Sequence, residues 1–242
     1  MRLSLVLSFS TLLTAQIALA QPQAPAPEAA TGRTIKTLGT ARHFMAAAAN
    51  PLAATAGRDI LRAGGSATDA AIAIQLVLNL VEPQSSGIGG GAFFVHWDEA
   101  GRKVTTLDGR ETAPAAARPD RFMRDGKPMP FREAVVGGRS VGVPGTLKLL
   151  EEAHRRWGKL PWADVVAPAL KLAEEGFAIS PRLNGLLAGE KDLTKNALAA
   201  AYFYESDGKP KAVGTVLKNP AFAATLRAVA SQGSEAFYKG AI

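Results

Sequence analysis

Two neighbouring segments of the sequence carry residue types suited to binding an anionic small molecule. The first is the loop Ser85–Gly91, which contains four glycines within five residues. Glycine at this density destabilises helix and strand alike, and it is typical of backbone that takes positive φ or approaches another group closely. Successive N–H groups of such a loop can bind an anion. The alternative interpretation is a tight packing loop between a helix and a strand.

The second segment is Leu107–Pro114 (LDGRETAP), in which Arg110 follows a predicted strand. A guanidinium binds a carboxylate through two parallel hydrogen bonds, a geometry that lysine cannot reproduce. Arg110 is therefore a candidate for binding a substrate carboxylate. The alternative is an exposed ion pair with Glu111 or Asp108, and the residue pattern by itself favours the ion pair.

No residue of the sequence is predicted to act as a nucleophile or to bind a metal. Cysteine is absent, and the three histidines, His43, His96 and His154, lie far apart without the spacing of zinc ligands. We expect His96 to be a hydrogen-bonded core residue on a strand and His154 to be exposed on an amphipathic helix. No pair of groups forms a convincing acid–base arrangement, and no cofactor is implied.

The glycine loop follows two helices whose ends are marked in the sequence. Asn50-Pro51 predicts the start of the first helix, and Gly64-Gly65 predicts its end. Ser66, followed three residues later by Asp69, is a capping-box pattern for the second helix. That helix is apolar nearly all round from Ala70 to Val81, which predicts a central packed helix too short to cross a membrane.

Arg110 follows two predicted strands, Ala92–Asp98 and Lys103–Asp108, which form a hairpin. The first strand is apolar on both faces, as expected of an interior strand covered on each side. Together the elements predict a mixed α/β domain with helices packed around a sheet. Further helices are predicted from Thr146 to Trp157, from Leu160 to Gly176 with a break or kink near Ala167 caused by Pro168, and from Pro220 to Gly233.

The N-terminal residues predict export. Residues 1–20 have a basic start, a short apolar run and small residues at 18–20, the pattern of a signal peptide. Residues 21–41 are rich in Pro and Ala and are expected to be a disordered leader, with the folded domain over 42–242. We expect a periplasmic or secreted protein that is not membrane-bound after cleavage. The net charge of +7 includes no basic run, so a nucleic-acid partner is not expected.

Several ordered motifs closely resemble the N-terminal part of the large subunit of γ-glutamyltransferases (glutathione hydrolases). The resemblance covers about residue 46 to the C-terminus. The motifs are Gly64–Ala71 (GGSATDAA), Glu82–Phe93 (EPQSSGIGGGAF), Asp108–Pro114 (DGRETAP), Val143–Thr146 (VPGT), Pro168–Phe177 (PALKLAEEGF) and Phe237–Gly240 (FYKG).

The resemblance implies an N-terminal-nucleophile hydrolase fold, an αββα sandwich, made by a precursor that cuts itself into two subunits. It implies cleavage of the γ-glutamyl amide of glutathione and related compounds, with transfer to water or to acceptor amino acids or peptides. The attacking group would be the N-terminal threonine of the small subunit, with its own α-amino group as base. Arg110 would bind the α-carboxylate of the donor, and the glycine loop would be packing beside the site.

The resemblance also places the self-cleavage site and the catalytic threonine beyond Ile242. We therefore expect the fold to be incomplete in these 242 residues, with the small subunit of the same precursor as partner. The chain alone is expected to be inactive toward γ-glutamyl substrates. Two alternatives stay open: an amidohydrolase of the same fold similar to cephalosporin acylases that cleave glutaryl side chains, and an inactive truncated remnant.

Overall fold

The computed structural model describes residues 37–190 and 192–242. The predicted signal peptide and all but the last residues of the predicted leader lie outside these ranges. The described residues form a mixed α/β arrangement of helices and short antiparallel strand pairs. The elements are α1 (Pro51–Arg62), α2 (Ala67–Val81), β1 (Ala92–Asp98), β2 (Lys103–Gly109), β3 (Met123–Arg124), β4 (Lys127–Pro128), α3 (Phe131–Val135), α4 (Thr146–Trp157), α5 (Trp162–Glu175), β5 (Phe177–Ala178), α6 (Pro181–Gly189), α7 (Ala197–Phe203), β6 (Val216–Leu217), α8 (Pro220–Gln232) and α9 (Glu235–Tyr238).

The first two helices begin at the residues that the sequence predicts. The side chain of Asn50 accepts the N–H of Leu52 at 3.0 Å at the start of α1. Ser66 and Asp69 form the reciprocal capping box of α2, with N···O distances of 3.1 and 2.8 Å. Both caps satisfy N–H groups that have no partner inside the helix.

Helix α2 is the centre of the core, as predicted from its apolar sequence. Its residues Ile72, Leu76 and Val77 are fully buried, and α1, α4 and α5 pack against it. Of the expected break or kink near Ala167, the break is wrong, because α5 runs through Pro168 as one helix. The proline removes one hydrogen bond in the middle of the helix. The buried face made by its neighbours keeps the segment helical; these residues are Val165, Val166, Ala169 and Ala173.

Strands β1 and β2 form the predicted hairpin, with Ala92 opposite Gly109 and Asp98 opposite Lys103. One face of β1 packs on α4, where the His96 ring stacks on Trp157 with a centroid distance of 4.2 Å. The prediction of a strand covered on both faces is wrong for the described residues. The other face is exposed, with relative exposures of 66% for Phe93, 70% for Val95 and 49% for Trp97.

The segment between β2 and α4 is a surface excursion, as its prolines, glycines and charges predict. It contains the two-residue strands β3 and β4 and the short helix α3, none of which has a buried residue. A third strand pair, β5 with β6, lies between helices further along the chain. Within the described ranges, no helix is long and apolar enough to cross a membrane.

Candidate functional site

Arg110 lies immediately after the last residue of β2, at the edge of the folded core. Its backbone N–H donates to the Asp108 carboxylate at 2.9 Å, which turns the chain out of the strand. The Arg110 side chain is 70% exposed, and its Nε lies 3.2 Å from Glu111 Oε2. This is the ion pair expected from the residue pattern. Within the described ranges, neither Nη group of Arg110 makes a hydrogen bond to the protein.

Glycine residues allow three segments of backbone to meet beside Arg110. A Cβ atom at Gly91 would lie 2.5 Å from Glu111 Oε2 and 2.9 Å from the Cα atom of Arg110. A Cβ atom at Gly145 would lie 2.1 Å from the carbonyl oxygen of Gly109. The carbonyl oxygen of Gly90 accepts the N–H groups of Gly145 and the following threonine at 3.0 and 3.1 Å. The glycine loop, the end of β2 and the start of α4 are thereby held together.

The glycine loop acts through close approach and not through positive φ. None of its four glycines lies in the left-handed region. The N–H of Gly90 donates to the carbonyl oxygen of Gly87 at 3.1 Å, so it is not available to an anion. Ser86 accepts a hydrogen bond from Gln75 and donates one to Asn79 on α2, at 2.8 and 2.7 Å. These contacts support the packing interpretation of the loop.

Arg110 lies in the wall of an open cleft of about 510 Å³. We call this space the arginine cleft. Its walls are the end of β2, the turn before α4, one side of α4, and α9. The lining residues are Leu107, Asp108, Gly109, Arg110, Thr112, Val143, Pro144, Gly145, Lys148, Leu149, Glu152, Glu235 and Tyr238.

Lys148 and Glu152 of the arginine cleft are each paired with charged neighbours. Hydrogen bonds from Arg155 and Arg156 lower the pKa of Glu152 to about 2. Hydrogen bonds to Glu235 and then to Glu151 raise the pKa of Lys148. Arg110, whose only ion pair among the described residues is with Glu111, is therefore the cation best placed to receive an anionic group.

A second cleft of about 490 Å³ adjoins the same turn. Its lining includes Gln75 and Glu82 from α2 and its end, the glycine loop, and Glu111. Glu82 is only 3% exposed, and it accepts hydrogen bonds from Asn50 at 2.8 Å and from Arg182. These hydrogen bonds connect the end of α2, just before the glycine loop, to the start of α1 and to α6.

The predictions for two histidines need correction. His154 is not exposed: its side chain is 19% accessible, its Nε2 lies 2.8 Å from the carbonyl oxygen of Leu160, and the ring contacts Trp162 edge-on. His96 is partly buried, as expected, but its Nδ1 is buried without a hydrogen-bond partner. His96 is held by ring stacking and not by the hydrogen bond we expected.

Neither of the two serine motifs in the described residues presents an activated nucleophile. The segment 138–142 matches the pattern Gly-x-Ser-x-Gly, yet Ser140 lies in an exposed 3₁₀ turn and donates to the carbonyl oxygen of Val135 at 2.7 Å. Ser206 stands three residues before Lys209, whose ammonium instead pairs with Asp207 at 2.7 Å. Within 37–190 and 192–242, no group of three or more His, Asp or Glu side chains could hold a metal ion.

Sequence reasoning did not assign Lys148, Glu152, Glu235 or Tyr238 to the site. Lys148, Glu152 and Glu235 are charged residues on helices, where charge is common at the surface, so their types carry no signal. Tyr238 belongs to a motif that supported the family resemblance, but nothing in the sequence indicates that α9 contacts the start of α4. That packing places residues more than a hundred positions apart in one cleft.

The sequence profile described as Gamma-glutamyltranspeptidase matches residues 53–242. The chain is 42% identical over 206 residues to a glutathione hydrolase proenzyme of Bacillus subtilis (strain 168), covering 85% of this chain and 35% of that protein. It is 37% identical over 226 residues to the acylase ACY 1 proenzyme of Pseudomonas sp. (strain V22), covering 89% of this chain and 40% of that protein. The γ-glutamyltranspeptidase structure of Helicobacter pylori superposes with a TM-score of 0.79 at 32% identity, covering 84% of this chain and 58% of that chain.

These matches define the class of protein as a mixed α/β protein with the N-terminal-nucleophile hydrolase fold. The chain belongs to the γ-glutamyltranspeptidase family. It spans about a third of the length of the curated glutathione hydrolase that it matches.

Proposed function

We propose that this chain forms the donor-carboxylate side of a γ-glutamyltransferase or glutathione hydrolase site, with Arg110 as the substrate-binding residue. The observation that carries the proposal is the guanidinium of Arg110 in the wall of the arginine cleft, on backbone held by glycine packing. The donors would be glutathione and other γ-glutamyl compounds. The acyl group would pass to water or to acceptor amino acids or peptides.

In this proposal Arg110 binds the α-carboxylate of the donor through its free Nη groups. A guanidinium fork matches a carboxylate in two hydrogen bonds, which fixes the orientation of the substrate as well as its affinity. Glu111 lies 3.2 Å from the Nε atom, on the edge of the guanidinium away from its Nη groups.

The attacking threonine and its base would come from the small subunit of the same precursor, outside these 242 residues. The exposed apolar face of β1 supports this assembly. This face carries three large apolar side chains that are about half exposed or more, those of Phe93, Val95 and Trp97. Val104 of β2, opposite Trp97, is 55% exposed. Contiguous apolar surface of this kind marks interaction sites. We propose that the small subunit packs on this face.

A glutaryl-cleaving acylase of the same fold is the second candidate, and the 37% identity to an acylase proenzyme supports it. A glutaryl amide places its distal carboxylate where a γ-glutamyl amide places its α-carboxylate, so Arg110 would serve either substrate. The two differ in the α-amino group. Comparing kcat/KM for glutathione with that for a glutaryl amide separates them, and we expect the γ-glutamyl donor to be preferred.

The first test of the proposal is Arg110→Lys in the assembled protein. A lysine keeps the charge but replaces the fork by a point donor, so KM for the donor should rise with little change in kcat. The expected loss is roughly 1.5–3 kcal/mol, the scale of a hydrogen bond to a charged group. The matched control is Arg102→Lys in the exposed turn between β1 and β2. Unchanged KM in Arg110→Lys would remove Arg110 from the site.

We also propose that the protein is exported to the periplasm or secreted, with cleavage after Ala20. The basic, apolar and small-residue pattern of residues 1–20 supports this location. N-terminal sequencing of the protein recovered from the periplasm or medium should begin at Gln21. Recovery of the intact N-terminus in the cytoplasm would contradict it.

A further inference from the structure

Tyr238 on α9 makes two hydrogen bonds to the start of α4, about ninety residues earlier in the chain. Its hydroxyl donates to the carbonyl oxygen of Pro144 at 2.9 Å. The same oxygen accepts the backbone N–H of Lys148, with an N···O distance of 3.4 Å. Tyr238 is partly buried, and its side chain also lines the arginine cleft.

The start of α4 lacks the side-chain cap that helices normally use. Its N-cap residue is Gly145, which has no side chain to accept a hydrogen bond from the first turn. Lys148 is the third residue of the helix, and its N–H is the usual target of a capping oxygen. The hydroxyl of Tyr238 therefore takes the place of a serine or aspartate cap.

The N-cap position of α4 has no room for a side chain, because Gly145 lies directly against the end of β2. A Cβ atom at Gly145 would meet the carbonyl oxygen of Gly109 at 2.1 Å and that of Arg110 at 3.0 Å. No residue with a side chain fits there while the start of α4 touches the end of β2. The close approach that supports Arg110 thus removes the normal cap, and Tyr238 supplies the missing acceptor from α9.

We infer that Tyr238 is a positioning residue for Arg110, acting through the backbone at the start of α4. The carbonyl oxygen that Tyr238 holds belongs to the residue before Gly145. Val143, one residue earlier, exchanges both backbone hydrogen bonds with Thr112, at 2.8 and 3.3 Å. The segment before α4 therefore contacts the chain on both sides of Arg110. It touches Gly109 through Gly145, and it is hydrogen-bonded to Thr112 through Val143.

Ionisation does not interrupt the contact at neutral pH. Burial raises the pKa of Tyr238, so its hydroxyl stays protonated and continues to donate to Pro144. Loss of the hydroxyl should let the start of α4 move away from β2. The guanidinium of Arg110 would then adopt a wider range of positions, which weakens donor binding without touching the reacting atoms.

The inference rests on the proposed role of Arg110, and the test is designed to separate the two. Donor kinetics are measured for Tyr238→Phe, Arg110→Lys and Tyr204→Phe in the assembled protein. Tyr204→Phe is the matched control, because its hydroxyl donates to the carbonyl oxygen of Leu187 at 2.9 Å, away from the arginine cleft. Thermal unfolding of each variant shows whether the folds are equally intact.

Tyr238→Phe should raise KM roughly three- to tenfold, the fold-change of one net hydrogen bond, with kcat within about twofold of the parent. Tyr204→Phe should leave KM unchanged. In an Arg110→Lys background, Tyr238→Phe should raise KM little further, because both changes act on the same contact between residue 110 and the donor carboxylate. If Arg110→Lys raises KM while Tyr238→Phe behaves like Tyr204→Phe, the inference is wrong and the proposed function stands. If Arg110→Lys has no effect, both fail.

Discussion

Replacing Gly91 by alanine tests whether close approach of the glycine loop positions Arg110. The new methyl group would lie 2.5 Å from Glu111 Oε2, 2.7 Å from the backbone nitrogen of Glu111 and 2.9 Å from the Cα atom of Arg110. Two of these three atoms are backbone, which cannot rotate away. The loop and the end of β2 must therefore separate by several tenths of an ångström.

The magnitude follows from two opposing effects. Overpacking a tight contact costs about 1–3 kcal/mol. Alanine recovers about 0.4–1 kcal/mol by restricting the unfolded chain. Gly91→Ala should therefore be destabilising by up to roughly 2.5 kcal/mol, which is a fall in melting temperature of as much as several degrees for a domain of this size. KM for the donor should rise as well, because the displaced atoms carry the guanidinium.

Gly89→Ala is the matched control from the same loop. No atom lies within 4 Å of a Cβ there, and its backbone is outside the left-handed region. Alanine at Gly89 should be neutral or stabilising by up to about 1 kcal/mol, with KM unchanged. Thermal unfolding and donor kinetics are measured for both variants. Equal melting temperatures and equal KM values for Gly91→Ala and Gly89→Ala would refute the packing argument.

Three further predictions concern stability and assembly. Asp69→Asn should lower the free energy of unfolding by about 1–2 kcal/mol in urea, because a neutral amide oxygen accepts the N–H groups of Ser66, Lys159 and Leu160 more weakly than the buried carboxylate does. Glu82→Gln should cost about 3–5 kcal/mol, the scale for breaking a buried ion pair by changing one partner. Val95→Thr should leave unfolding of the chain within about 0.5 kcal/mol of the parent and weaken assembly with the small subunit, measured by sedimentation.

Exposed positions provide the controls for these changes. Asp59→Asn removes a carboxylate that is 53% accessible, and it should change stability by less than about 0.5 kcal/mol. An Asp69→Asn variant as stable as Asp59→Asn would show that the charge of Asp69 does not strengthen its hydrogen bonds to the loop before α5. Full assembly of Val95→Thr would exclude the exposed face of β1 as the subunit contact.

The ends of several helices could be predicted from the sequence because single residues determine them. Asn50 and Ser66 supply capping oxygens, and α4 and α8 end at Gly158 and Gly233 as predicted. Of the break or kink predicted near Ala167, the break was wrong, because a rule based on proline alone ignores the apolar face of α5 that packs on α2 and α8. Tertiary packing outweighed one missing hydrogen bond.

The exposed face of β1 shows a different limit of sequence reasoning. An apolar residue pattern indicates which surfaces favour burial, but not which segment covers them. The position of Arg110 could be predicted from the end of β2, since a residue after a strand lies at a sheet edge. The role of Tyr238 could not, because it depends on the close approach of Gly145 to Gly109, which only the folded backbone shows.

The central claim is that Arg110 binds the carboxylate of the donor, and one double comparison tests it most directly. The assembled protein and its Arg110→Ala variant are each assayed with γ-glutamyl-4-nitroanilide and with 4-aminobutyryl-4-nitroanilide, which lacks only the α-carboxylate. The parent should prefer the γ-glutamyl donor by roughly ten- to a hundredfold in kcat/KM, and Arg110→Ala should lose most of that preference. A preference that survives in Arg110→Ala would contradict the account.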